Sequence, residues 1–184
     1  MMRLFAALTP PEPMRRYLTT LRTGIRAAHW QRDDQLHLTL KFIGEIDEAQ
    51  ARDLDLALAG IRLPPVSLKL DGAGLFGSME KPRMRWARAV PHESLLHLHD
   101  KVETLCRTIG ITGADRKYTP HITLARISQG RAAAPGVAAF LDSFGALQTP
   151  EFSITDFALY SSHQTDDGPL YRVEARYQFA PASS

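Results

Sequence analysis

Two short segments, one in each half of this 184-residue chain, carry the same pattern. His37, Leu38, Thr39 and Leu40 form the first, and His121, Ile122, Thr123 and Leu124 the second. Both lie in runs with strand character, and side chains alternate between the two faces of a strand. The alternation predicts His37, Thr39 and Lys41 on one face and Leu36, Leu38, Leu40 and Phe42 on the other. In the second segment His121 and Thr123 point one way while Ile122 and Leu124 point to the core. Two such strands facing each other across a cleft would gather two imidazoles and two hydroxyls. A third match, His163, Gln164 and Thr165, falls in a stretch that reads as a polar turn, without a strand to orient it.

The rest of the chain supplies a frame of interspersed strands and helices. Strands are predicted over residues 3–8, 36–43, 66–70, 83–90, 118–127, 152–160 and 170–179. The last two are separated by a turn containing Asp166, Asp167 and Gly168. Residues 72–77, with Gly72, Gly74 and Gly77, read as a loop or broken strand. Helical spacing joins Met14, Tyr17, Leu18, Leu21 and Ile25 after Pro10 and Pro11. A second helix runs through Ala51, Leu54, Leu58 and Ile61, with Asp47 and Gln50 spaced as a cap and Gly60 near its end. A third carries Leu95, Leu98, Val102, Leu105 and Ile109 and stops at Gly110. Val137, Phe140, Leu141 and Phe144 suggest a short fourth helix after Pro135. Alternating strands favour antiparallel sheets covered on one face, so the fold class expected is α+β. No linker-like stretch divides residues 1–184 into independent domains.

Composition narrows the chemistry. A net charge of +2 does not imply a large footprint for long nucleic acid, although Arg83, Arg85 and Arg88, and again Arg116 and Lys117, are close in sequence. The single cysteine, Cys106, sits on an apolar helical stripe and reads as a packing residue suited to a reducing cytosol. No run approaches the roughly 20 apolar residues of a membrane span, and the first residues lack the apolar core of a signal peptide, so a cytoplasmic location is expected. A zinc centre needs three or four protein ligands, and neither a Cys pair nor a His-Glu helix spacing supplies them; His97 and His99, two apart on a helix, diverge. Nucleophilic-serine and phosphate-loop signatures are both missing. Two histidines, by contrast, titrate near neutrality and can hold opposite protonation states, one accepting a proton from water and the other donating one to a leaving oxygen. Threonine hydroxyls beside them can bind phosphate oxygens. The set suits attack on a phosphodiester without a metal or other cofactor.

These motifs resemble the 2H phosphoesterases, and within them the bacterial RNA 2′,3′-cyclic phosphodiesterases, also called the 2′-5′ RNA ligase family. The resemblance extends to residues 3–8 followed by Pro10 and Pro11, to 36–45, to 118–126, and to 157–162 and 168–172, nearly the whole chain. It implies a single domain of two similar α/β lobes, each with an antiparallel sheet and outer helices, around a central cleft. It further implies hydrolysis of a terminal 2′,3′-cyclic phosphate to a 2′-phosphate, with His37 as proton donor, His121 as proton acceptor, and Thr39 and Thr123 as phosphate ligands. Arg126 would contact phosphate or nucleotide, although strict alternation puts it on the face opposite His121, so a bulge or strand end must re-aim it. Phe5 is a candidate base-stacking platform, on a strand face shared with Arg3. Tyr118 departs from the more Phe-like residue expected before the second motif. Substrates would be RNA ends or small cyclic nucleotides, bound by a monomer away from membranes. Two alternatives stand beside hydrolysis: 2′-5′ end joining by the reverse reaction, and a nucleotide-binding module with little turnover.

Overall fold

The computed structural model describes residues 1–22, 28–77, 82–113, 117–127, 144–166 and 168–180. Ten strands are present among them: β1 (Met2–Leu8), β2 (Ala28–Trp30), β3 (Leu38–Ile46), β4 (Val66–Leu68), β5 (Leu70–Gly77), β6 (Pro82–Ala89), β7 (His121–Ile127), β8 (Phe152–Ile154), β9 (Asp156–Thr165) and β10 (Gly168–Gln178). Three α-helices accompany them, α1 (Glu12–Thr20), α2 (Glu48–Ala59) and α3 (Glu93–Thr108), together with a 3-10 turn at Asp33–Gln35. The main sheet runs β10-β9-β1-β3-β7-β6-β5, with β2 also paired to β7, and β4 and β8 form a separate two-stranded sheet. Every strand pairing is antiparallel, as the alternating pattern predicts for an α+β fold.

The two halves of the main sheet meet where β3 and β7 pair, through one residue pair, Leu38 with Ile122. On one side lie β10, β9, β1 and β3; on the other lie β7, β6 and β5. The expected two-sheet, cleft-bearing arrangement is therefore realised as two sheet halves joined at their motif strands.

One face of the sheet is covered by the helices. Leu4, Ala6 and Leu8 of β1, Leu38 and Leu40 of β3, and Ile122 and Leu124 of β7 enter one core cluster with Met14 and Leu18 of α1, Leu54 and Leu58 of α2, and Leu95, Leu98, Val102 and Cys106 of α3. Cys106 is fully buried and its thiol is pushed up to about 11 by desolvation, which fits an inert packing role. Helix α2 starts as predicted. Asp47 accepts from the Gln50 amide at 2.8 Å, and the Gln50 side chain accepts in return from the Asp47 amide. Among the described residues no helix is long and apolar enough to cross a membrane.

Several expectations need correction. Residues 66–70 are not one strand: β4 and β5 part at Lys69 and join different sheets. Likewise 152–160 divides at Thr155 into β8 and β9. The glycine-rich stretch is a paired strand, with an irregular register between Leu70 and Ala73 where Gly72 adopts φ +82°, a value glycine tolerates. Gly74 is required by packing. A Cβ there would lie 2.1 Å from the Trp86 ring. His163 is not in a turn but in β9, where its Nε2 bonds Ser161 Oγ at 2.9 Å. Arg85 is fully buried while Arg83 and Arg88 are exposed, so the three do not form one surface patch. Ile25, Arg116 and the predicted helix at Val137, Phe140 and Leu141 lie outside the described residues.

The consequential correction concerns β3. Across from β1, Ala7 pairs with Thr39 and Ala6 with Lys41, which leaves Leu40 as an extra, bulged residue. Alternation resumes with opposite phase. Lys41 therefore leaves the face of His37 and Thr39 and is buried against α3, with Nζ 2.6 Å from Glu103 Oε2. Phe42 takes the other face and is 68% exposed. Burial alone would raise the Glu103 carboxyl, but the hydrogen bond and charge of Lys41, with help from Arg107, hold it below its ordinary value. We expect Glu103→Gln to leave a buried ammonium with a weaker partner and to cost about 2 kcal/mol of stability, measured as a lowered urea midpoint at unchanged slope.

Candidate active site

The motif strands are antiparallel neighbours. Centred on the Leu38–Ile122 pair, the register sets His37 opposite Thr123 and Thr39 opposite His121. The two histidines are then diagonal neighbours on one sheet face, about 7–8 Å apart at the backbone. All four polar side chains sit on the face away from the helices. The Leu38–Ile122 pair thus brings the two motifs side by side, and the charge of His121 is felt at His37.

Each imidazole is held in the same way. His37 Nδ1–H donates to the carbonyl of Gln35 at 2.7 Å, and His121 Nδ1–H donates to the carbonyl of Thr119 at 2.7 Å. Both carbonyls lie two residues upstream. A bond at Nδ1 fixes the tautomer and leaves each Nε2 free for proton transfer. His37 itself precedes β3 by one residue, and that break from regular pairing lets its ring turn back onto Gln35.

Aromatic rings wall each imidazole. Around His37 stand Phe5 at 4.9 Å and Tyr171 at 5.1 Å between ring centroids, with Tyr160 at 6.4 Å. Around His121 stand Phe76 at 5.1 Å and Trp86 at 5.8 Å. Of these rings the sequence singled out only Phe5, although Tyr160, Tyr171, Phe76 and Trp86 also fall within strands.

A second bulge mirrors the first. On β7, Thr123 pairs with Trp86 and Ala125 with Arg85, so Leu124 is the extra residue. Beyond it Arg126 pairs with Met84 and returns to the face of His121 and Thr123. The bulge re-aims Arg126 as the cleft requires. Phe42 and Arg126 thus occupy corresponding places, each five residues after its motif histidine. Both line a cavity of about 380 Å³ with Arg3, Phe5, His37 and Tyr171.

Phe5 needs revision as a stacking platform. It is 2% exposed, with the Tyr160 ring stacked on it at 5.1 Å. It forms the cavity floor behind His37, and Phe42 is the exposed ring beside it. Thr123 Oγ1 donates to Met84 Sδ at 3.3 Å, a weak bond that a better acceptor would displace. Tyr118 uses the hydroxyl that a phenylalanine would lack. It donates to the Thr39 carbonyl at 3.1 Å, tying the approach to the second motif onto the first, while its ring stacks on His99.

The electrostatics favour neutral imidazoles. Burial depresses His37 to about 4, opposed by the bond to Gln35 and assisted by the charges of His121 and Arg126. His121 is lowered by burial as well, against the bond to Thr119. The charge of His121, when protonated, thus disfavours a proton on His37. Among the described residues no group of three or more His, Cys, Asp and Glu side chains is placed to hold a metal.

Comparison with known proteins agrees with this geometry. The family described as LigT like Phosphoesterase matches residues 8–86 and again 89–171, one histidine motif in each match. An RNA 2′,3′-cyclic phosphodiesterase of Thermus thermophilus is 37% identical, over 96% of this chain and 89% of the relative. Another of that name from Aeropyrum pernix is 31% identical over 83% of this chain and 85% of its own length. Among solved structures, a Thermus thermophilus protein superposes with TM-score 0.80 at 30% identity, covering 99% of this chain and all of that one. Escherichia coli LigT complexed with 3′-AMP gives TM-score 0.77 at 26% identity, over 97% of this chain and 98% of its own. With both histidine motifs inside the matched segments and nearly the full chain superposed, this protein belongs to the LigT-like phosphoesterases.

Proposed function

We propose that the protein is an RNA 2′,3′-cyclic phosphodiesterase that opens a terminal cyclic phosphate to a 2′-phosphate by proton transfer between His121, His37 and substrate. The observation that carries this is the matched pair of Nδ1-anchored imidazoles, each with a free Nε2, flanking one gap on the sheet face. The names of the relatives and the 3′-AMP complex of LigT support the substrate class. We read the chain as one domain of two pseudo-symmetric lobes, since each sheet half carries one motif strand with its own bulge, at Leu40 in β3 and at Leu124 in β7. The cavity on the His37 side holds the terminal nucleoside, with the exposed Phe42 ring available to a base.

Water attacks phosphorus opposite the 3′ oxygen. His121 Nε2 takes the water proton as the new P–O bond forms. The P–O3′ bond breaks, and O3′ receives the proton of His37 Nε2. Thr39 and Thr123 hydroxyls donate to non-bridging oxygens, and Arg126 offsets their charge. The two proton transfers account for the reaction without a metal. The proposed setting is a monomer in the cytoplasm; a lone buried cysteine, Cys106, suits a reducing compartment.

The electrostatics suit these roles. A deeply depressed imidazole is a strong acid once protonated, and His37 is the more depressed ring. An anionic phosphate in the cleft stabilises the protonated form and counteracts the charges of Arg126 and His121.

Purified protein incubated with adenosine 2′,3′-cyclic phosphate is expected to yield the 2′-phosphate, and formation of the 3′-phosphate would contradict the assignment of the leaving oxygen. His37→Ala and His121→Ala are each expected to lower kcat by about 100-fold or more with folding retained, and turnover to survive dialysis against EDTA. The pH profile follows from the shifts. The productive form carries one proton across the pair, so it is populated between two depressed values. The kcat/KM profile is expected to be a bell centred on the acid side of 6.5, with the kcat bell displaced upward when phosphate is bound. A rate rising steadily into alkaline solution would indicate attack by free hydroxide instead.

A further inference from the structure

Beside the site, strands β5, β6 and β7 set their side chains in rows. Arg88 pairs with His121. Trp86 pairs with Gly74 on one side and Thr123 on the other, and Met84 pairs with Phe76 and Arg126. Cross-strand partners share a sheet face, so Arg88, Trp86 and Met84 all stand on the face of His121 and Thr123. Glycines let the first two lean outward over β5. The Arg88 guanidinium rests over Gly72 and donates from Nε to the Asp71 carbonyl at 2.8 Å, and the Trp86 ring lies over Gly74. Met84 faces the Phe76 ring instead of a glycine, and its thioether turns the opposite way, onto β7. There Sδ accepts from the Thr123 hydroxyl at 3.3 Å.

A thioether is a weak acceptor, so this bond yields to a phosphate oxygen. A sulfoxide is different. Its oxygen carries the negative end of a strong dipole and competes with phosphate for the same donor, and the three rotatable bonds of the side chain let that oxygen take up the hydroxyl. Met84 is half-buried beside the cleft, within reach of a small oxidant. No other described methionine has this connection: Met1 is exposed at the chain start, Met2 packs against the core from β1, and Met14 is buried beneath α1. Met79 lies outside the described residues. The Cys106 thiol, fully buried and raised to about 11, stays protonated and unreactive near neutral pH.

We propose that Met84 is an oxidative modification site, at which peroxide reversibly weakens substrate binding because the sulfoxide captures the Thr123 hydroxyl in place of the substrate phosphate. This rests on the function proposed above, which makes Thr123 a phosphate ligand. In the modifying step the sulfur electron pair attacks one oxygen of hydrogen peroxide. The S–O bond forms and the O–O bond breaks with its pair on the departing oxygen. The departing hydroxide takes the proton of the transferred oxygen and leaves as water. Sulfur loses two electrons and the peroxide gains them. Two thiols reverse the step, becoming a disulfide as the sulfoxide returns to thioether and water. Because Thr123 holds phosphate in the ground state as well as in the transition state, its capture acts mainly on KM.

The test measures hydrolysis of adenosine 2′,3′-cyclic phosphate before and after hydrogen peroxide, each protein compared with its own untreated rate. In the wild type kcat/KM is expected to fall by about tenfold or more, the effect of one hydrogen bond to a charged group, with most of the loss in KM. Mass spectrometry of the peptides is expected to find one added oxygen on Met84, in proportion to the loss. Methionine sulfoxide reductases for both sulfoxide epimers are expected to restore the rate. Met84→Leu, which removes the sulfur at similar volume, is expected to resist peroxide. Full activity with Met84 oxidised, a loss confined to kcat, or an equal loss in Met84→Leu would overturn the switch and leave the proposed hydrolysis standing. So would a Met84 that stays unoxidised while Met1 reacts, a result read on the wild type whether or not the variant folds. An untreated wild type without turnover would remove the proposed function and the switch with it.

Discussion

One backbone pairing, Leu38 against Ile122, joins the two halves of the sheet, and the site is arranged around it. Both residues are fully buried in the helix-covered core. Burial of two branched side chains at the junction contributes on the order of several kcal/mol and fixes which way their neighbours point. Because the pairing is antiparallel, the residues before and after it on each strand fall opposite one another with the order reversed. Two copies of one short motif then become a symmetric tetrad. The Tyr118 hydroxyl adds a cross-tie from the second motif's approach to the Thr39 carbonyl. The distance between the imidazoles is set by backbone geometry, with side-chain freedom removed by the bonds to Gln35 and Thr119.

The bulges at Leu40 and Leu124 are the second constraint. An unbroken strand would have carried Lys41 into the cleft and Arg126 into the core. The extra residue exchanges those outcomes. Lys41 serves the core through Glu103, while Phe42 and Arg126 face the cavity. Each motif therefore specifies more than its histidine and threonine. Its leucine makes the local turn of phase that brings the next substrate-facing side chain onto the same side.

Much of this was legible from residue order. The motif pair, its strand setting, the cap at Asp47, the helical stripes and buried Cys106 follow from periodicity and local chemistry. The resemblance located Arg126 and required a bulge to aim it. The phase change at Leu40 was not legible, because Leu-Lys-Phe satisfies either alternation until the partner register is known. Nor was the glycine stretch at 72–77, whose composition signals a loop. Its reason for existing, the seating of Trp86 and Arg88, lies on a different strand. His163 was misplaced for a similar cause: polar residues at the end of a long hairpin look like a turn when their pairing partners are unseen. In each case the missing information was the identity of the neighbour across the ladder.

The central claim is that two imidazoles, fixed as Nδ1–H tautomers, act on one phosphate through their Nε2 atoms. Long-range ¹H–¹⁵N NMR of imidazole-labelled protein, titrated with adenosine 2′-phosphate, tests it most directly. The predicted result is that His37 and His121 both show protonated Nδ1 and bare Nε2 when free, and that both Nε2 signals move along one saturation curve toward the protonated state as the nucleotide binds. A response confined to one ring, or a proton on Nε2 of either free imidazole, would contradict it.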